Sequence, residues 1–220
     1  MNSNRLIITE DGSHTLYVPE LDEHYHSVHG AILESEHVYL RNGYDFCIGD
    51  PVHIFEVGFG TGLNAFLTAL RCINDKKEVF YTTIEKYPLE ENVTNLLNYH
   101  LFKGKESKKI FNCISSSPWG EMQNICDNFN LMKIKGDLKT CELTGSFDLI
   151  YFDAFGPDKQ PEMWTADIFN KISHVIKTDG IFITYSAKGD VKRKLKSVGF
   201  DVTRLPGPPG KRHIIRANKI

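Results

Sequence analysis

Phe55-Glu56-Val57-Gly58-Phe59-Gly60-Thr61-Gly62-Leu63-Asn64 decides the fold of this chain. An apolar run (Val52, Ile54, Phe55, Val57) ends in three alternate glycines, and a helical pattern of Leu63, Phe66, Leu67, Leu70 and Ile73 follows at once. That order predicts a strand, a tight turn and a helix N-terminus, the part of an α/β protein that cradles a nucleotide-like ligand. A dinucleotide fingerprint, G-x-G-x-x-G, would need glycine at position 63, which is Leu63. A phosphate-binding P-loop would need Gly-Lys-Ser/Thr, and no such tripeptide follows.

What remains, E-x-G-x-G-x-G, resembles the S-adenosylmethionine (SAM) loop of Rossmann-like methyltransferases. Glycine at these positions lets backbone approach a ligand where a Cβ would collide. The resemblance implies that Glu56, Gly58, Phe59, Gly60, Gly62 and Asn64 serve the cofactor.

Strand and helix patterns alternate from residue 51 onward. Val52–Val57, Val79–Ile84, Leu131–Lys135, Phe147–Phe152 and Gly180–Tyr185 read as strands. Helices are expected after Gly62, from Pro88 (Val93, Leu96, Leu97, Leu101), after a Thr165 cap (Ile168, Phe169, Ile172), and at Val191, Leu195 and Val198. Phe200–Leu205 and Arg212–Ala217 flank Pro206-Gly207-Pro208-Pro209-Gly210 and read as a closing antiparallel pair. The expected architecture is α/β: a Rossmann-like, mostly parallel, doubly wound sheet with an antiparallel C-terminal strand. Residues 1–50 show only short β-like runs (Leu6–Thr9, Thr15–Val18, Val38–Leu40) and read as a small β-rich N-terminal cap on a 51–220 domain.

Ligands of such sheets bind beyond the carboxyl ends of the strands. The acids there are Glu85, Asp137 and Asp153. Glu85, 27 residues after Gly58, is placed to accept hydrogen bonds from two neighbouring ribose hydroxyls, with Lys86 beside it. Asp137 can accept from an exocyclic amine of adenine. Three acids at three successive strand ends point to one site.

Composition narrows the class. The 220 residues are 41% hydrophobic with a net charge of -2, and no apolar run approaches the ~18 residues of a membrane helix. The polar stretch Met1–Ser13 does not resemble a signal peptide. Five scattered cysteines without a C-x-x-C fit reduced thiols in a cytoplasm, with no metal expected. The charge is uneven: Lys188–Ile220 holds ten Lys/Arg against two acids, leaving the rest of the chain at -10. A basic end on an acidic body suits a polyanion.

Longer motifs resemble one family. Gly58–Asn64, Ile84-Glu85-Lys86-Tyr87-Pro88-Leu89, Phe152-Asp153-Ala154-Phe155-Gly156-Pro157 and Pro161-Glu162-Met163-Trp164-Thr165 are similar to the methyltransferase domain of the MnmC family. Thr184-Tyr185-Ser186-Ala187, Val191-Lys192-Arg193 and Gly210-Lys211-Arg212 fit the same family, and the likeness runs from about residue 15 to the end. Ala154 stands where glycine is expected in bifunctional members. The resemblance implies methylation, from SAM, of the aminomethyl group on carbon 5 of the tRNA wobble uridine, with or without a 2-thio group. It also implies a stand-alone enzyme without the flavin-dependent oxidase domain, supplied with the amine by a separate enzyme.

On that reading Asp153 binds at the cofactor site and accepts the amine proton. Phe155 and Trp164 stack on the uracil. Lys192, Arg193, Lys194, Lys196, Lys211 and Arg212 meet anticodon stem-loop phosphates. His24-Tyr25-His26-x-x-His29 lacks a familiar zinc spacing and reads as part of the cap over the site. An alternative is methyl or aminopropyl transfer to a small amine or polyamine, which predicts an acidic amine pocket and leaves the basic end without a task.

Overall fold

The computed structural model describes residues 4–104 and 106–220, so Met1–Ser3 of the polar N-terminal stretch lie outside it. The strands are β1 (Arg5–Ile8), β2 (His14–Val18), β3 (Glu23–His24), β4 (Val52–Val57), β5 (Val79–Glu85), β6 (Met122–Cys126), β7 (Phe129–Lys135), β8 (Phe147–Phe152), β9 (Ile176–Thr184), β10 (Phe200–Pro206) and β11 (His213–Lys219). The α-helices are α1 (Ala31–Ser35), α2 (Leu63–Asp75), α3 (Glu91–Thr94), α4 (Ser107–Ser116), α5 (Ala166–Ser173) and α6 (Gly189–Ser197).

Eight strands form one sheet in the order β10-β11-β9-β8-β4-β5-β7-β6, and β1–β3 form a small antiparallel sheet. The pairs β8–β4, β4–β5, β5–β7 and β8–β9 are parallel. β11 runs antiparallel to both β9 and β10, as the Pro/Gly-rich turn between two β-runs required. From β4 the chain moves outward through β5 and β7, then returns to place β8 on β4's other side. The order therefore reverses between β4 and β8, and a crevice opens at their carboxyl ends.

Side-chain alternation along β4 explains the two layers. Val52 and Ile54 face a cluster that includes Phe66 of α2 and Ile110 of α4. Phe55 and Val57 face the opposite cluster, with Phe169 of α5 and Leu195 of α6. Glu56, by the same period of two, points into the first face and is fully buried. Thr165 caps α5 as its sequence predicts, its hydroxyl accepting from the Ile168 N–H at 3.3 Å.

Three elements depart from the sequence reading. Val38–Leu40, expected as a strand, lies in a π-helical continuation of α1 (Glu36–Arg41), with Val38, Tyr39 and Leu40 all buried in the same cluster as Phe66. A run of three apolar residues serves a buried helix as readily as a strand, and length alone does not separate them. The helix expected from Pro88 shrinks to the single turn α3. Asn98 there turns back to the N-terminal segment, accepting from the His14 N–H (2.8 Å) and donating to the Gly12 carbonyl (3.0 Å). β6 was not expected; it pairs with β7 through a turn in which Asn128 takes a left-handed φ of 65°.

Candidate active site

A cavity of about 660 Å³ occupies the crevice, a size that suits a nucleoside-sized ligand together with part of an acceptor. Its floor is the glycine loop, Gly58–Thr61 with Leu63 and Asn64. One wall carries Glu85, Lys86, Asp137 and Leu138 from the ends of β5 and β7. The other carries Asp153–Gly156 after β8, and the cap closes it with Glu23–Val28 and Glu34.

Gly58 and Gly60 are required by geometry. Gly58 has φ +88°, and a Cβ there would lie 2.7 Å from the Asp153 carbonyl oxygen. Gly60 has φ +51°, and its Cβ would meet the Tyr25 ring at 2.9 Å. Both are conformations an L side chain rarely adopts. Gly62 starts α2 in the left-handed region and touches the folded-back ring of Phe59 rather than the cavity. Phe59 in turn packs on Trp119 at 5.7 Å between ring centroids, with the Lys133 ammonium 5.3 Å from its ring. Lys133 is buried and donates to the Ile114 and Ser115 carbonyls at the end of α4. Burial holds its pKa down at about 8.

Glu85 accepts from the N–H of Gly60 (3.1 Å) and of Tyr87 (2.8 Å), one on each carboxylate oxygen. Each oxygen keeps a second lone pair for a ligand hydroxyl. Asp137 accepts from the Lys139 N–H (2.9 Å) and pairs with Lys86 at 3.0 Å. Those two contacts hold its carboxyl below the usual range. A floor of bare backbone at Gly58 and Gly60 and an anchored acid, Glu85, on the facing wall fit the ribose-bearing SAM that the sequence motif implies.

Asp153 is half-buried at the meeting point of β4 and β8. Its Oδ1 accepts from the Tyr39 hydroxyl at 2.6 Å, and its Oδ2 from the Asn64 amide at 2.8 Å. Burial pushes its pKa up to about 7, opposed by those two hydrogen bonds and by the Lys211 charge. The same Asn64 amide donates to Glu56 Oε1 at 3.1 Å. Burial, with Asp153 nearby, pushes Glu56 up to about 8. Glu56 does not line the cavity; it supports Asn64 from behind, which corrects its expected contact with the cofactor.

Two further expectations are corrected. Trp164 is buried at 1% exposure, stacked edge-on against Phe152 at 4.9 Å, so no base can reach its face. Its Nε1–H donates to the Phe155 carbonyl at 2.7 Å and so holds the loop that carries Phe155. Phe155 lines the cavity with its ring 5.1 Å from Tyr25. Lys211 also lines the cavity, paired with buried Glu34, rather than standing among surface phosphate ligands. Lys194 is tied to the Trp164 carbonyl (2.9 Å) and to Asp190, and Arg193 also reaches Asp190. Lys196 and Arg212 are exposed and Lys192 is half-buried; none of the three has an ion-pair partner among the described residues.

The sequence reading missed Tyr39, Glu34 and the inward turn of Lys211. Tyr39 lay in a segment with the wrong expected structure, and Glu34 carries no local signal. Among the described residues no group of three His, Cys, Asp or Glu side chains is arranged to hold a metal, and no helix is long and apolar enough to cross a membrane.

Comparison with known proteins agrees with this geometry. The chain is 33% identical over 171 residues to the tRNA 5-methylaminomethyl-2-thiouridine biosynthesis bifunctional protein MnmC of Campylobacter hominis, covering 76% of this chain and 25% of that protein. The protein of the same name from Campylobacter fetus is 29% identical over 92% of this chain and 34% of its own length. The chain thus spans about a quarter to a third of these relatives. The crystal structure of MnmC2 from Aquifex aeolicus superimposes with a TM-score of 0.81 at 28% identity, covering 99% of this chain and 71% of that one. Spermidine synthase from Thermotoga maritima shares the fold, with a TM-score of 0.56 at 14% identity over 98% of this chain and 72% of its own. A family profile described as S-adenosyl-L-methionine-dependent methyltransferase matches residues 111–220. With its class I Rossmann-like sheet and its glycine-floored crevice, this chain belongs to the S-adenosyl-L-methionine-dependent methyltransferase family.

Proposed function

We propose that this chain methylates the amine of 5-aminomethyluridine, or its 2-thio form, at the wobble position of tRNA. The observation that carries the reading is Asp153, a carboxylate at the switch point of the sheet, fixed by Tyr39 and Asn64 and facing the cavity beside the glycine loop. The likeness to proteins named for 5-methylaminomethyl-2-thiouridine biosynthesis supports the substrate class.

Bound SAM supplies a methyl group on a positive sulfur, open to in-line attack by a neutral amine. The chain's residues orient the amine and manage its proton. Gly58 and Gly60 let backbone close on the cofactor, and Glu85 accepts from its ribose hydroxyls. Asp153 accepts an N–H of the incoming amine and takes the proton that the nitrogen loses, a transfer suited to a carboxylate poised near pH 7. Phe155 and Tyr25 offer aromatic faces to a pyrimidine turned out of its stack. Lys192, Arg193, Lys196 and Arg212 lie outside the cavity and serve the anticodon stem-loop phosphates. An activity outside these residues supplies the aminomethyl group, and the reaction takes place in the cytoplasm.

The test is methyl transfer from labelled SAM to tRNA carrying aminomethyluridine, read by mass spectrometry of the nucleosides. One added methyl on that nucleoside supports the reading. SAM binding with no change in the tRNA overturns the substrate and leaves the fold and cofactor intact.

A further inference from the structure

Lys211 is the residue whose place in the fold its sequence context least foretells. It leaves the β10–β11 turn, yet its ammonium turns into the cavity and sits 4.2 Å from the centre of the Tyr185 ring. Tyr185 donates its hydroxyl proton to the Ala154 carbonyl at 2.9 Å, which holds the ring beside the Asp153 loop. Glu34, 6% exposed, pairs with Lys211 through Oε1 and accepts the Ser27 N–H through Oε2 at 2.7 Å. The turn itself is pinned to the cap, with His37 Nε2 2.9 Å from the Pro206 carbonyl.

Counting donors leaves one group free. An ammonium has three N–H bonds. One meets Glu34 and the Tyr185 face takes the charge from a second side; among the described residues the Lys211 ammonium has no other hydrogen-bond partner. Glu34, buried at the base of the contact, anchors the lysine through Oε1 and is itself fixed by the Ser27 N–H on Oε2. The cavity therefore presents an acceptor, Asp153, and a separate donor, Lys211, bridged by Tyr185, whose ring lies under the ammonium and whose hydroxyl donates to the Ala154 carbonyl next to Asp153.

Resting on the wobble-uridine reading, we propose that Lys211 is the residue that reads the base, donating to the O4 carbonyl of the uracil whose neighbouring aminomethyl group is held by Asp153. In 5-aminomethyluracil the aminomethyl donor and the O4 acceptor are borne by adjacent ring carbons, C5 and C4, so an acceptor and a donor on one wall can engage both. Cytosine carries an amino group at that ring position and would set donor against donor. A polyamine has no carbonyl to accept the Lys211 N–H.

The test uses anticodon stem-loops bearing 5-aminomethyluridine or 5-aminomethylcytidine, with wild type, Lys211→Met and the double variant Glu34→Gln/Lys211→Met. The double variant guards against misfolding from a buried, unpaired Glu34. Wild type is expected to prefer the uridine by at least about tenfold in kcat/KM, as loss of one charge-assisted hydrogen bond requires. Both variants are expected to lose that preference while binding SAM as wild type does. Their affinity for unmodified stem-loop, and its dependence on salt, should not change. Retained preference in a folded variant overturns the inference. So does a loss of stem-loop affinity with a shallower salt slope, which would make Lys211 a phosphate ligand. If wild type methylates neither stem-loop while still binding SAM, the wobble-uridine reading fails first and the inference falls with it.

Discussion

Replacing Asp153 with Asn separates the roles of charge and shape at the centre of the site. The two side chains are nearly isosteric, so the cost to the fold can be worked from partners. The introduced amide would keep its carbonyl on the Asn64 amide and turn its NH2 toward Tyr39. The Tyr39 hydroxyl then accepts there and can donate to the Phe152 carbonyl, already 3.4 Å away. One good hydrogen bond is exchanged for a longer one, a cost of about 1 kcal/mol, partly offset because no anion need be desolvated. SAM affinity should therefore stay close to wild type. Turnover should not: loss of a positioned proton acceptor costs about a hundred- to ten-thousand-fold at neutral pH. The pH profile carries the sharper signature. In wild type the active carboxylate forms as pH rises through about 7, so kcat/KM should climb below that value and level above it. In the Asn variant only the substrate can shed the proton, so the climb continues toward the alkylamine range, about 10, and the deficit narrows with pH. Single-turnover methyl transfer from labelled SAM between about pH 5.5 and 9.5, with calorimetric SAM binding alongside, gives both quantities. Full turnover at neutral pH, or two profiles of one shape, would refute proton transfer through Asp153.

Glu56→Gln tests the buried acid behind Asn64. A carboxyl raised to about 8 from its ordinary 4.5 favours folding while protonated; that contribution is complete below 4.5 and is lost as pH rises through about 8. Gln cannot ionise, so the variant's stability relative to wild type, read by urea unfolding, should improve steadily across that window. Trp164→Phe should lower stability through the lost bond to the Phe155 carbonyl and the vacated volume, about 1–3 kcal/mol. Saturating turnover per folded molecule should survive in Trp164→Phe and in Trp164→Leu, whereas a stacking platform would lose it in the non-aromatic variant. Gly58→Ala should all but abolish methyl transfer, since its Cβ would sit 2.7 Å from the Asp153 carbonyl oxygen and displace the carboxylate. Charge reversal at Lys192, Arg193 and Arg212 together should weaken tRNA binding steeply at low salt and flatten its salt slope, leaving SAM binding unchanged. Filter binding at several ionic strengths reads that directly.

The parts of this site that were legible in sequence share one physical property: their geometry is local. Gly58 and Gly60 are dictated by positive φ within one turn, and Glu85 by its place at a strand end, so a single stretch of chain carries each signal. Thr165 announces α5 for the same reason. Tyr39, Glu34 and Lys211 are different. Each reaches the cavity only because a distant element carries it there: a π-helical turn for Tyr39, the short α1 for Glu34, and the turn between two antiparallel strands for Lys211. The hydrogen bond from Tyr39 to Asp153 spans 114 positions and the ion pair of Lys211 with Glu34 spans 177, so no window of sequence contains either. Trp164 failed in the opposite direction. Its neighbours Pro161, Glu162 and Met163 mark a loop at the mouth of the site, but Phe152, Phe169 and Tyr185 surround the indole and draw it inward. The glycine loop, the strand-end acids Glu85, Asp137 and Asp153, and Phe155 were accordingly readable from the chain, whereas the contacts that the cap and the last hairpin make with them were not. On the proposed reading the determinants of substrate choice lie with Lys211 and Glu34, and their exchange is the most direct way to change what this methyltransferase accepts without disturbing how it holds SAM.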